Sequence, residues 1–243
     1  MREEDSLPVL LLLTCCVDPK GMAYTVINDR NTRIKQYYEA FDFYLENTSY
    51  KILIVENTLF DIDEKYLNND RVEYLTFNGN DFNKELGKGY GEVLIIEHAL
   101  NNSKFLKENK DSYIIKITGR LSALNINKLI DSLPDNNKGY VSANITWDRN
   151  FAYSHFFISN FKFLKYFVEK KDLINDSNGI YFENLLSHAI KEMNKNGFYF
   201  LPLLEPTRIK GVSGSTGNRY VDDFSILDLI IFKIKNFYFK YFL

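Results

Sequence analysis

Cysteine is nearly missing: Cys15 and Cys16 are the only two in 243 residues, and they are adjacent. Neighbouring cysteines have poor geometry for a structural disulfide and offer no zinc spacing, so a reducing compartment is expected. The three histidines, His98, His155 and His188, are scattered without metal-ligand spacing. Net charge is also small. A formal charge of -2 gives the chain no global attraction for nucleic acid, so an anionic partner must be drawn by local patches. The apolar segment 7–17 is too short to span a bilayer, and the acids before it, Glu3, Glu4 and Asp5, are the wrong flank for a secretory signal. A cytoplasmic protein is expected. The sequence has no internal repeat and no linker, apart from a joint before the C-terminal tail.

What is present is apolar: 45% of residues are hydrophobic and 16% aromatic. The length suits one large α/β domain or two small ones, with a substantial core. The continuous apolar run at 9–13 has the character of a central parallel strand buried on both faces, 51–55, apolar after Lys51, reads as a second buried strand, and 72–77 as a third. Between the first two, Ile34, Tyr37, Tyr38, Phe41 and Tyr44 recur at helical spacing over 28–45. A Gly-rich turn, Gly87 to Gly91, then opens an apolar helix over 92–106, and a buried strand from Tyr113 ends in Thr118-Gly119-Arg120. A short helix follows over 125–133, capped by Asn125. Strands are predicted at 140–145 and 154–158, helices at 161–174 and 181–194, and a strand at 198–204. The tail from Ile226 is helical, aromatic and basic. The pattern reads as a single α/β domain with a mainly parallel central sheet flanked by helices (1–220) and a C-terminal amphipathic helix (221–243).

Three features converge in residues 83–120. Glycines let backbone approach a ligand, a helix N-terminus carries partial positive charge, and Arg120 stands at a strand's carboxyl end, where open α/β sheets form their ligand crevice.

The element order resembles the GT-A glycosyltransferase fold, a Rossmann-type domain. Gly89-Tyr90-Gly91-Glu92, followed by the strand from Tyr113 to Ile117 and Thr118-Gly119-Arg120, is similar to a group of bacterial surface-polysaccharide (capsule and lipopolysaccharide O-antigen) glycosyltransferases. The likeness covers roughly residues 7–217. It implies a nucleotide-sugar donor lying over the strand ends, with Thr14, Glu56 and Asn57 near base and ribose, and Lys88, Gly89, Tyr90, Gly91, Thr118 and Gly119 along the donor. Taken alone, Thr14 could cap a strand and Glu56-Asn57 make a turn.

Most GT-A enzymes carry a metal-binding Asp-x-Asp where this chain has Thr118-Gly119-Arg120. Arg120, with Lys88 as a second cation, can instead meet the charge of a departing nucleoside diphosphate. No cofactor is then required, although Mg or Mn stays open. The alternative for Arg120 is a salt bridge at a strand end. Asp61-Ile62-Asp63 and Asp222-Asp223 are the places to look if a hard metal is used, although the first better suits a solvated turn or helix start.

Inverting transfer needs a base for the acceptor hydroxyl. Glu183, at a helix start, resembles the position of the Glu-Asp pair of inverting GT-A enzymes, but its neighbour here is Asn184; an acid favouring a helix N-terminus is the plain alternative. Asp148 is the fallback base. Trp147 could stack on an acceptor sugar or be packing, and His188 could face the acceptor. The loop 211–217, with Ser213 and Ser215, suits a lid over phosphate or a flexible loop.

In the tail, Lys233 and Lys240 with Asn236 between them make a polar stripe on an apolar helix. It suits a peripheral membrane-surface contact, or a helix docked on the domain or in a dimer. The expected acceptor is a lipid-linked glycan or polysaccharide. A sugar nucleotidyltransferase and a non-catalytic sugar- or membrane-surface-binding partner in polysaccharide assembly are the rival readings.

Overall fold

Val9–Cys15 forms the first strand, β1, and all seven of its residues are buried. A strand whose two faces are both covered has no polar side, so its apolar run is continuous instead of alternating. The computed structural model describes residues 7–22, 25–135, 139–220 and 223–242, the Phe242 side chain excepted. Along the chain β1 is followed by α1 (Arg30–Asn47), β2 (Lys51–Glu56), α2 (Glu64–Leu67), β3 (Val72–Thr76), α3 (Gly87–Asn102) and α4 (Lys104–Glu108). Next come β4 (Tyr113–Thr118), β5 (Ser122–Ala123), α5 (Ile126–Asp131), β6 (Tyr140–Ile145) and β7 (Ala152–Ser159). The chain ends in α6 (Phe161–Val168), α7 (Phe182–Lys195), β8 (Tyr199–Phe200), β9 (Ile209–Lys210) and α8 (Ile226–Phe242).

Seven strands make the central sheet in the order β3-β2-β1-β4-β7-β6-β8, and β5 pairs with β9 in a separate two-stranded ribbon. Strands β1 to β4 are parallel, β7 runs against both β4 and β6, and β8 is parallel to β6. This is the α/β domain expected, with a mostly parallel sheet flanked by helices. Because side chains alternate across a strand, Leu10, Leu12 and Ile114 pack under α3, α6 and α7, while Leu11, Leu13 and Ile115 pack under α1 and α5. The carboxyl ends of β1, β2 and β4 and the amino end of β7 therefore meet along one edge.

Several local expectations change. The helix expected over 92–106 starts earlier, at Gly87, and breaks at Ser103, whose hydroxyl caps α4 through the Leu106 amide. Gly89 and Gly91 thus lie inside helical turns. A Cβ at Gly89 would sit 3.0 Å from the Phe182 backbone nitrogen, and one at Gly91 would sit 3.0 Å from the Phe82 ring. These glycines allow close packing, and only Gly87, at φ +83°, needs glycine's left-handed freedom.

Asn125 precedes α5 but its side chain makes no cap; it binds Glu205, the Pro206 carbonyl and the Arg208 amide instead. The helix expected over 161–174 stops at Val168, and the strand expected over 198–204 shrinks to two residues, since Pro202 has no N–H to extend a ladder.

The tail helix α8 docks on the domain. Phe239 enters the core on the α3 side of the sheet and Phe232 the core on the α1 side. Between them Lys235 is buried, donating to Asn144 Oδ1 at 2.6 Å, and burial pulls its pKa down to about 8. Among the described residues no helix is long and apolar enough to cross a membrane.

Candidate functional site

A lysine in the middle of an apolar strand organises the crevice. Lys116 on β4 is fully buried; it pairs with Glu92 of α3 and donates to the Ser154 carbonyl at 2.7 Å. Glu92 Oε1 also accepts from the Thr14 hydroxyl at 3.0 Å, and Ser154 Oγ donates to Glu183 Oε1 at 2.6 Å. Thr14, Glu92, Lys116, Ser154 and Glu183 therefore form one chain of contacts across four elements and the end of β1. Burial raises the Glu183 pKa above the ordinary glutamate range; the Ser154 hydrogen bond opposes the rise and the nearby Glu92 charge adds to it. His155, between the rings of Tyr153 and Tyr220, is pushed down to about 4 by burial, with Lys116 adding to the effect.

Arg120 stands just past β4 and is 8% exposed. Its guanidinium donates to the Val212 carbonyl at 2.6 Å and reaches Gln36 Oε1 at 3.4 Å, and it has no carboxylate partner among the described residues. Among the described residues no strand-end salt bridge to Arg120 is formed. Arg33 of α1, also buried, binds neutral oxygens alone among the described residues: the Cys16 and Ile27 carbonyls and the Tyr37 hydroxyl. Burial lowers the Arg120 pKa and the neighbouring Arg33 lowers it further, while Tyr37 opposes them. Two desolvated cations side by side, held by carbonyls and hydroxyls, make an electropositive hole suited to an anion.

The loop 211–217 closes over this hole. Gly214 packs so tightly on Arg120 that a Cβ there would lie 2.4 Å from its terminal nitrogen, the Gly214 carbonyl accepts from the Val26 amide at 2.8 Å, and Lys88 Nζ bonds Ser215 Oγ. Both cations expected to hold a diphosphate thus touch the same strap. Ser213 lies on its inner turn, accepting from the amides of Gly217 and Thr216.

The amino end of α3 is differently furnished from what the glycines imply. The carboxylate of Asp176 lies over Gly87, where a Cβ would meet it at 2.0 Å, and faces the amides of Lys88 and Gly89. A helix N-terminus attracts negative charge, and here the protein supplies it. Burial raises the Asp176 pKa all the same.

Other expected contacts separate. Both oxygens of Glu56 are taken by the amides of Val17, Thr58 and Phe60 and the hydroxyls of Thr58 and Thr76, leaving the ribose contact expected of it no free acceptor. Its neighbour Asn57 is 2% exposed, and its Oδ1 has no partner among the described residues. Thr118 lies at the crevice edge. Gly119 lets β1 and β4 close together, since a Cβ would meet Cys15 Sγ at 2.5 Å. Tyr90 packs on Phe82, 5.4 Å between centroids. Both cysteines are free, and burial lifts Cys15 well up and Cys16 to about 12, which keeps them thiols.

The expected acceptor residues are not gathered at Glu183. Trp147 packs against Tyr238 and Phe239 of α8, with centroids 6.4 and 6.1 Å away. His188 pairs with Glu192 at 3.2 Å, about 140° around α7 from Glu183 at 100° per residue. Asp148 closes its own turn, accepting from Thr146 and Asn150, and the Thr146 bond lowers its pKa, which weakens it as a base. Its loop is nonetheless tied to α7 through Asn184 Nδ2 and the Asn150 carbonyl, 2.8 Å apart.

The end of β4 carries the protein's own cation. Arg120 stands there, Glu92 is neutralised by Lys116, and among the described residues no group of three His, Cys, Asp or Glu is placed to hold a metal. Asp63 caps α2 through the Lys65 amide at 2.9 Å. Asp222 lies outside the described residues. An open cleft of about 650 Å³ sits at the other end of the sheet, lined by Pro8, Glu46, Tyr50 and Asn127 among others. It lacks the paired cations of the crevice.

Sequence reasoning missed Lys116, Glu92 and Arg33 as parts of the site. A single lysine within Tyr-Ile-Ile-Lys-Ile is itself a signal, because a charge in a doubly covered strand must have a partner.

No protein-family model matches the sequence, and no curated protein sequence matches it either. Among solved structures, a protein assigned as a nucleotide-diphospho-sugar transferase in Desulfovibrio desulfuricans superposes with TM-score 0.46 and 11% identity, covering 80% of this chain and 79% of that one. The glycosyltransferase GlyE of Streptococcus pneumoniae gives 0.44 and 11%, covering 81% of this chain but 45% of its own length. The inositol-1-phosphate CTP transferase of T. maritima gives 0.42 and 12%, covering 95% of each chain. At such scores the reading of the site rests on this chain's own side chains.

Proposed function

We propose that the protein transfers a sugar from a nucleotide-sugar donor to a glycan acceptor, with inversion at the transferred carbon. The observation that carries this reading is the electropositive hole: Arg120 is buried at the end of β4 without a carboxylate partner among the described residues, and the loop 211–217 lies over it. A diphosphate supplies the missing negative charge. Arg120, with Lys88 at the crevice mouth, binds it through charge-assisted hydrogen bonds. As the bond between the sugar carbon and the diphosphate oxygen breaks, the leaving group keeps the electron pair, and the same cations meet the growing charge.

The acceptor hydroxyl oxygen forms the new bond, and Glu183 takes its proton. The raised Glu183 pKa makes it a stronger base than an exposed glutamate. Asn57, with an unused buried acceptor, fits a hydrogen-bond donor on the nucleoside, and Ser213 and Ser215 fit the closing strap. A lipid-linked or polysaccharide acceptor in surface-glycan assembly is the finer form of the proposal.

The test is a pair of assays on the same preparation. Nucleoside diphosphates should raise the melting temperature through binding linkage, and nucleotide sugars should be consumed with release of nucleoside diphosphate in the presence of an acceptor glycan. Stabilisation by none of the common nucleoside diphosphates overturns the site. Pyrophosphate released from a nucleoside triphosphate and a sugar phosphate replaces transfer with nucleotidyl transfer.

A further inference from the structure

The C-terminal helix has one side packed on the domain and an opposite side that, Tyr238 against Trp147 and Arg149 excepted, is exposed among the described residues. Phe232, Lys235 and Phe239 are buried and Asn236 Nδ2 donates to the Leu203 carbonyl at 2.8 Å, so this side is fixed to the domain. At 100° per residue, Ile226, Leu227, Ile230, Ile231, Ile234, Phe237 and Tyr241 fall on the opposite side in an arc of about 140°. All seven are exposed, with Ile230 at 49%, Ile234 at 57% and Phe237 at 66%. Exposed Lys233 and Lys240 run along one border of this arc.

We propose that this outward face seats the protein on an anionic phospholipid bilayer. A contiguous apolar band of this width needs a cover. The charge pattern selects which: the lysine border meets lipid phosphates, while α8 itself carries a single acid, Asp228, engaged with Ser225 at the helix start. A second copy seated on this face would bring its own lysine border and no further carboxylate from α8 to pair with it. Lysines that border a buried apolar band at a headgroup layer are worth about 1 kcal/mol each, which makes the contact additive and salt-sensitive.

The position of the helix gives the contact a consequence for the crevice. Trp147 and Arg149 lie against Tyr238, and the same loop is tied to α7 through Ser187 Oγ and the Arg149 carbonyl at 2.7 Å. α7 carries Glu183 in its first turn. The bilayer side of the molecule and the base therefore share one connecting loop, which suits a substrate anchored in lipid.

The experiment is vesicle co-sedimentation of the full chain, with no sugar donor present, so its outcome stands apart from the transfer reaction. The probes are phosphatidylcholine vesicles alone and with about one third phosphatidylglycerol. Binding is expected to the anionic vesicles, falling with added salt, and to be lost in Ile230→Glu with Ile234→Glu. Those positions face outward, so circular dichroism and melting temperature should match the parent. Lys233→Gln with Lys240→Gln should weaken binding about thirtyfold. Trp147 is the only tryptophan and reports the same event as a change in fluorescence. Failure to bind anionic vesicles, or binding indifferent to the isoleucine changes, overturns the proposal. So does a dimer in light scattering that the same changes dissolve while vesicles are ignored, because a second copy then covers the face.

Discussion

Lys116 and Glu92 form an ion pair in which the lysine side chain is wholly buried and the glutamate keeps 22% of its exposure. The pair joins β4 to α3 across the floor of the crevice, and through the Ser154 carbonyl and hydroxyl it is continuous with Glu183. A buried cation is tolerated only with its partner in place, and removing one member leaves the other desolvated and unpaired.

Lys116→Met should therefore lower stability by about 3 kcal/mol, the low end for a broken buried pair because Glu92 can still reach some solvent. Lys116→Met combined with Glu92→Leu should regain most of that loss, since two apolar groups replace two charges. Urea denaturation of the two variants and the parent measures both terms. Equal losses in the single and double variants would mean that the pair contributes packing alone.

Arg120→Ala separates function from stability. It removes a buried guanidinium that has no carboxylate hydrogen-bond partner among the described residues, so the melting temperature should stay level or rise. Nucleoside diphosphate binding should weaken, and transfer should fall by roughly 10² to 10³ in kcat, the cost of one lost donor to developing charge. Calorimetric titration and a steady-state assay read the two effects. A variant that transfers normally rules out the proposed charge assignment.

Glu183→Gln should leave donor binding intact and reduce transfer by roughly 10² to 10⁴. The folded pKa of Glu183 is raised, so the fold holds its proton more tightly than the unfolded chain does. The stability this contributes is present below the unfolded value and is lost as pH rises through the folded one. The glutamine variant should therefore be the more stable of the two at neutral pH. The acid limb of the parent's kcat/KM profile should lie above the ordinary glutamate range.

The sheet was legible because its signal is local. Residues 9–13 and 52–55 are apolar without interruption, and such runs have few alternatives to a covered parallel strand. The start of α3 was not. Gly87, Gly89 and Gly91 read as a turn on propensity; Gly89 and Gly91 are helical, and what calls for glycine at the three is the nearness of Asp176, Phe182 and Phe82, the farthest of them about ninety residues along the chain. The crevice was half legible. Arg120 at a strand end could be read from order alone, whereas the Lys116 to Glu92 pairing and the strap on Lys88 depend on contacts 24 and 127 residues apart. The same limit applies to Trp147 and His188, whose neighbours on α8 and α7 decide where they point.

His155 gives a pH test of the cluster. Burial and the adjacent Lys116 depress its folded pKa from 6.5 to about 4, with Glu92 opposing them and the Tyr153 and Tyr220 rings enclosing it. A depressed histidine favours the fold fully above the unfolded value, and that contribution is lost as pH falls from 6.5 through about 4. The parent should therefore lose stability across this window, by at most about 3 kcal/mol from this group. His155→Phe should flatten that part of the profile and leave the region above pH 7 nearly unchanged. Proton NMR titration of the ring, assigned by the variant, measures the same quantity directly. A His155 resonance titrating near 6.5 would place the ring in solvent and remove Lys116 as its neighbour.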